Sequence, residues 1–192
     1  NIIAVSKAVK SNLLRKFSIN PKNITLIPHF IEKDAYEITP HVSNEKPIVF
    51  SAGRFHPEKN YLVLLKAVNL LPEYNLKVIL AGEGIEKDLY EFFALKNGVD
   101  LEILKPTNNL KELFERAQIC VLPSIVDPFP HFMLESGIHR KPFIGSDIDG
   151  MSELITNEEN GLLFPSNNHQ ELAGKIKLFL NNQKLAKKCA DN

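Results

Sequence analysis

Residues 48–84 read IVFSAGRFHPEKNYLVLLKAVNLLPEYNLKVILAGEG, and this stretch decides the fold. It opens on a short, nearly continuous apolar run (48–52) and crosses a polar loop. It then enters 61–71, where Leu62, Leu65, Val68 and Leu71 recur at helical spacing. A second run, 76–81, ends in Gly82-Glu83-Gly84. Strands that are apolar throughout rather than alternating are buried on both faces, which means parallel pairing under a cover of helices. The unit repeats outward, with a helical pattern at 87–96, a strand at 101–104, a helix at 110–116 and an apolar run at 119–122. A helix at 131–137, short apolar runs at 142–145, 152–155 and 161–164, and a helix at 170–180 follow. The predicted fold class is α/β, a doubly wound parallel sheet from about residue 47 to the end.

The 192 residues hold 23 Lys+Arg against 23 Asp+Glu, for a formal net charge of +0. That balance argues against nucleic-acid or anionic-membrane binding, both of which run on excess Lys and Arg. At 44% hydrophobic the chain can bury a core, yet no apolar run approaches the ~18 residues of a membrane span. Cys120 and Cys189 form no CxxC, which fits a reducing cytoplasm. The chain begins at Asn1 rather than Met and stops in the helical pattern LAKKCADN, so it is expected to be a piece of something longer. Residues 1–27 read as strand, helix and strand, too little to bury an apolar face, and so as the remnant of a preceding domain. Residues 28–46, polar and bearing Pro28 and Pro40, read as a linker to a domain at 47–192. Having lost its partner, the 1–27 unit is expected to pack on the main domain or to self-associate.

In open parallel sheets ligands bind beyond the carboxyl ends of the strands, so the loops to read are 53–60, 82–86, 105–109, 123–131 and 145–151. In the first, Gly53 lets the backbone turn closely, Arg54 and Lys59 offer a planar fork and a point charge to a diphosphate, and Asn60 is a candidate N-cap. Solvated loop cations are the plainer alternative. In the fourth, Pro128 and Pro130 lead into a helix whose first N–H groups could hold an anion. Asp127 and Glu135, with seven residues between them, can face one crevice and accept from sugar and ribose hydroxyls. Alternatively Asp127 caps the helix and Glu135 pairs with a nearby cation.

The run GRFHPEKN…LLKA, VILAGEG, CVLPSIVDPFPHFMLESG, KPFIGSDIDGMSELI and NGLLFP resembles the retaining glycosyltransferases of family four, and VSKAV…NITLIP resembles the junction between their two domains. The resemblance implies the C-terminal, Rossmann-like half of a two-domain GT-B enzyme. It implies transfer of a hexose from a nucleoside-diphosphate sugar to an acceptor hydroxyl, in polysaccharide or glycolipid synthesis. It places the donor diphosphate on Gly53, Arg54 and Lys59, the donor sugar by Asp127 and the ribose on Glu135, making Asp127 and Glu135 the catalytic candidates. Backbone N–H contacts to sugar and phosphate fall on Phe129, His131, Phe132 and Met133, the Gly82 turn borders the nucleotide, and the base lies near Leu104 and Lys105. The implied partners are a nucleotide sugar and an acceptor carbohydrate or lipid, the latter held mainly by the N-terminal domain. No cofactor or metal is implied, and the place is cytoplasmic or peripheral at a membrane. This chain departs from the family pattern at Asp127 (usually Glu), Pro130 (usually Gly), His131, Phe132, Arg140 and Asp149, which leaves the donor's identity open.

Other signals are weaker. Asp147-Ile148-Asp149 is a D-x-D but sits where a turn is expected, and the six His form no HExxH. Cys120 reads as a buried small hydrophobe. Two rivals stand beside the transferase reading. One is a sugar-nucleotide epimerase of the same architecture, which would need proton-transfer groups at the sugar. The other is a degenerate, non-catalytic nucleotide- or partner-binding relative, motivated by Pro130 and Asp149.

Overall fold

The computed structural model describes residues 1–31, 46–107 and 110–192. Numbering elements in chain order, the amino-terminal unit is β1 (Ile2–Ala4), α1 (Lys7–Lys16) and β2 (Ile24–Leu26). The two strands pair in parallel, Ile2 opposite Ile24, as a sheet of their own. The main unit runs β3 (Ile48–Ala52), α2 (Tyr61–Asn69), β4 (Lys77–Ala81), α3 (Lys87–Asn97), β5 (Asp100–Leu104), α4 (Lys111–Arg116) and β6 (Ile119–Leu122). It continues with α5 (His131–Ile138), β7 (Phe143–Asp147), α6 (Asp149–Ser152), β8 (Leu162–Pro165), α7 (His169–Asn181) and α8 (Gln183–Asp191). Each strand lies within a residue or two of its predicted place. The run at 152–155 is no strand; it begins with the last residue of α6.

All six strands are parallel, in the order β5-β4-β3-β6-β7-β8. The alternation of side chains across a strand divides the core. Val49, Val78, Leu80, Val121 and Ile144 face one side, beneath α2, α3, α7 and α8. Ile48, Phe50, Ile79, Cys120 and Leu122 face the other, beneath α4, α5 and α6. Phe50, fully buried, meets Phe114 and Phe132 edge-on at 5.1 and 5.3 Å. Cys120 is fully buried, and burial pushes its thiol up to about 12, so it behaves as the small hydrophobe expected.

The strand order reverses between β3 and β6. Their following loops run to opposite sides and leave a crevice between them, the place where such sheets receive ligands.

The amino-terminal unit packs partly on the main one, as expected. Glu153 accepts from the Lys7 and Ala8 amides at 2.9 and 2.5 Å, capping α1 from across the interface. His29 lies 4.3 Å from the His131 ring and 5.4 Å from Phe129, centroid to centroid. Ile3, Phe17, Ile27 and Phe30 remain exposed. The greater part of the predicted linker, residues 32–45, lies outside the described residues. No helix among those described is long and apolar enough to cross a membrane.

Candidate functional site

Three loops are bonded together at the carboxyl ends of β3, β4 and β6. The Gly53 amide donates to Ala81 O at 3.0 Å and the Phe55 amide to Glu83 O at 2.7 Å; the Glu86 amide returns to Phe55 O at 3.1 Å. On the other side the Ile125 amide donates to Glu58 O at 2.8 Å. Gly82 sits at φ +157°, and any Cβ there would strike the Gly53 carbonyl, so glycine is needed on both counts. Beneath the loops, Phe55, Tyr61 and Tyr90 form a buried trio of edge-to-face rings, 5.5–5.9 Å apart.

The cleft over these loops has a volume of about 500 Å³. Gly53, Arg54, Lys59, Gly82, Asp127, Phe129, His131, Phe132 and Glu135 all line it. Met133 does not; its amide donates to Pro130 O at 3.2 Å, and its side chain packs against the apolar core under Phe50. Leu104 and Lys105, the expected base contacts, do not line the cleft either. Pro106, Thr107 and Leu110 do, because β5 ends before the chain turns over the cleft. Residues 108 and 109 lie outside the described residues.

The charges are already engaged. Lys59 Nζ is 2.7 Å from Asp127 Oδ2, with both side chains largely buried, and Arg54 reaches Glu58 at 2.9 Å with its own side chain 79% exposed. The expectation of merely solvated cations is therefore corrected for Lys59, which is held in a largely buried ion pair, while Arg54 stays a solvated loop cation in an exposed pair. The expectation that Asp127 caps a helix is corrected too, since α5 begins after Pro130 and takes no side-chain cap. Asn60 precedes α2 but caps it no better. It adopts a left-handed conformation and its amide donates to Asn167 Oδ1 at 2.7 Å.

Glu135 has no ion-pair partner among the described residues, and burial holds its carboxyl above the ordinary value of 4.5. His131 is held below 6.5, by burial and then by His29, against the opposing pull of Asp127. The amides of His131 and Phe132 open α5 without a backbone acceptor among the described residues, facing the cleft with the positive end of the helix. His29 escaped the sequence reading because it lies in the presumed linker and its contacts are long-range. Asp147 accepts from Ser152 at 2.5 Å, turn chemistry as expected. Among the described residues no group of three or more His, Cys, Asp or Glu is placed to hold a metal.

The family model for glycosyl transferases group 1 matches residues 34–192. The chain belongs to the group 1 glycosyl transferases. Among curated relatives of this family, the chain is 28% identical over 168 residues to a Campylobacter jejuni alpha-1,4-N-acetyl-D-galactosaminyltransferase. Its named acceptor is a diNAcBac-PP-undecaprenol-linked GalNAc disaccharide, and the match covers 85% of this chain and 46% of that one. It is 27% identical over 190 residues to a Staphylococcus aureus poly(ribitol-phosphate) alpha-N-acetylglucosaminyltransferase, covering 96% of this chain and 38% of that one. The chain spans about half the length of the curated relatives it matches. Among solved structures, a mutant of S. aureus TarM in complex with fondaparinux, alpha-GlcNAc-glycerol and UDP superposes with TM-score 0.89 at 25% identity. The match covers 99% of this chain and 38% of that one. Anabaena HepE, solved with UDP and glucose, gives TM-score 0.90 at 20% identity, covering 99% of this chain and 56% of that one, and shows the same GT-B fold.

Proposed function

We propose that residues 47–192 form the donor-binding half of a retaining glycosyltransferase that moves a hexose from a nucleoside-diphosphate sugar to an acceptor hydroxyl. Residues 1–27 are then the last elements of the acceptor domain and 28–46 the crossing between them. One observation carries the reading: residues from the ends of β3, β4 and β6 converge on a single cleft at the point where the strand order reverses.

In this reading the diphosphate lies between Arg54, Lys59 and the first amides of α5, and Glu135 accepts from the ribose hydroxyls. Arg54 gives up an exposed pair with Glu58 worth about 1 kcal/mol or less, a small cost against charge-assisted bonds to phosphate. Lys59 keeps Asp127 with one ammonium N–H and offers another to the phosphate. As the bond from the anomeric carbon to phosphate breaks, these groups meet the growing negative charge, with no metal called for. The acceptor hydroxyl bonds to the anomeric carbon on the face the phosphate leaves, and the departing phosphate takes its proton. Asp127, held by Lys59, lies beside the sugar. A cytoplasmic enzyme, peripheral at a membrane, is the setting this chemistry suits.

Titration with UDP, GDP and ADP by calorimetry tests the reading. One of them binds and the others bind more weakly; a folded protein that takes up none would sink it.

A further inference from the structure

The main unit hides most of its apolar side chains, with an exception on α3. Among its described residues seven large apolar side chains are exposed, and four of them, Ile85, Leu89, Phe92 and Leu95, fall within 85–95. Ile85 lies in the turn that enters α3, and the other three are on the helix. Tyr90 and Ala94 bury the inner face of α3, so this stripe is the outer one, where a surface helix ordinarily carries polar residues. Ile85 is 80% exposed and Leu95 86%, and an exposed apolar patch of this kind marks a contact surface.

The stripe is symmetric about Phe92. Leu89 and Leu95 stand three residues before and after it, and Asp88 and Lys96 four. Residues three and four apart share a helix face, so all five belong to one surface, with Asp88 and Lys96 about 12 Å apart along the axis. Neither of these two charges has an ion-pair partner among the described residues, whereas Lys87 and Glu91 beside them are joined at 3.5 Å. Lys96 Nζ lies 6.0 Å from the centre of the Phe92 ring. An acid one turn before an aromatic residue and a base one turn after it make a self-complementary pattern. Laid antiparallel on a copy of itself, the row Asp88–Phe92–Lys96 brings each acid opposite a base. Helices that cross at about 50° set such i±4 rows along one another.

We propose that α3 is the interface of a two-fold homodimer, with Phe92 on the axis and Asp88 of each copy paired with Lys96 of the other. Leu89 and Leu95 close round the two rings. A second copy fits this face better than a lipid surface. The helix carries Lys87 and Lys96 against Asp88 and Glu91, so it has no excess of cations to draw it to anionic headgroups. One helix per copy covers less than the ~800 Å² per partner of a standard interface, so the dimer belongs to the weak class, with a Kd on the order of 10–100 µM. No residue of the contact lines the donor cleft, so the proposal stands apart from what the cleft binds.

Sedimentation velocity of the chain between about 5 and 500 µM reads the association, with circular dichroism to check that each variant is folded. The expected result is a monomer–dimer equilibrium, with concentration-dependent shifts of the ¹⁵N-labelled Leu89, Phe92 and Leu95 amides. Phe92→Asp weakens it by about tenfold or more. Asp88→Lys and Lys96→Glu each weaken it about tenfold, because the two-fold repeats every like-charge contact. Carrying both in one chain reverses the pair and restores the dimer to within about threefold of the wild type. A chain that stays monomeric throughout overturns the proposal. So does a dimer that survives Phe92→Asp but is lost with Phe17→Ser and Ile27→Ser together, which assigns association to the amino-terminal unit. A dimer that the double charge reversal fails to restore overturns the pairing across Phe92. Vesicles of phosphatidylcholine and phosphatidylglycerol are the remaining probe. Binding to them by a chain that is monomeric in solution, abolished by Phe92→Asp, assigns α3 to a lipid surface and overturns the dimer.

Discussion

The molecule contains two parallel sheets built by the same strand–helix–strand rule, and they end up as different kinds of surface. The six-stranded sheet is covered on both faces, so its apolar residues disappear and its rim becomes a rigid frame for loops. The two-stranded sheet has too few neighbours to do this, and Ile3, Phe17, Ile27 and Phe30 stay exposed. Position at a functional site follows from the difference. The large sheet supplies residues whose placement is fixed by the core beneath them, whereas the small unit supplies a field of positive charge. What makes a parallel sheet useful here is the reversal between β3 and β6, a feature the small sheet is too short to have.

The sharpest way to break that contrast is in the core. Phe50→Ala removes a fully buried ring that supports Phe114 and Phe132, and should cost about 3–5 kcal/mol in chemical denaturation. Gly82→Val strains a left-handed backbone and collides with Gly53. A loss of roughly 3 kcal/mol is expected, with nucleotide binding lost because two loops are forced apart. Lys59→Ala leaves the Asp127 carboxylate buried without its cation. Thermal or denaturant unfolding should show a loss of about 1–3 kcal/mol, and calorimetry about tenfold weaker diphosphate binding.

A smaller effect has the opposite sign. Because burial raises the Glu135 pKa in the folded state, its contribution to stability is full below the unfolded value and is lost as pH rises through the higher folded value. Above that folded value the wild type carries a half-buried carboxylate that E135Q does not. The variant should therefore be slightly more stable there, by under about 1 kcal/mol after solvent screening, with the gap closing below the unfolded value. Nucleotide affinity should fall all the same. The smallest effect belongs to the small sheet's unit, where Phe17→Ser should change stability by no more than about 0.5 kcal/mol.

How far the sequence could be read follows the same division. The inner strands of the main unit were legible because burial on two faces demands continuous apolar runs, whereas the edge strand β5, DLEIL, is only half-buried and carries acids between its apolar residues. Gly53, Arg54, Lys59, Asp127 and Glu135 lie on segments that topology sends to one place, but it was the family resemblance that joined them as a set. What no local pattern carries is pairing across the fold. The Lys59–Asp127 bond spans 68 positions, and His29 against His131 joins the two units. Met133 stands apart for a local reason. Its amide donates to Pro130 O within the first turn of α5, and its side chain packs on the core. A whole-chain charge of +0 also concealed that the first 31 residues are all basic among their charged side chains.

The central claim is that the cleft at the reversal of the large sheet holds a nucleoside diphosphate. Amide shifts of the ¹⁵N-labelled chain on addition of UDP, GDP or ADP test it most directly. The account predicts saturable shifts at Gly53, Gly82, His131 and Phe132, weakened at least tenfold by replacing Arg54 and Lys59 together with Ala. Saturable shifts confined to other surfaces, or binding indifferent to that double replacement, would contradict it.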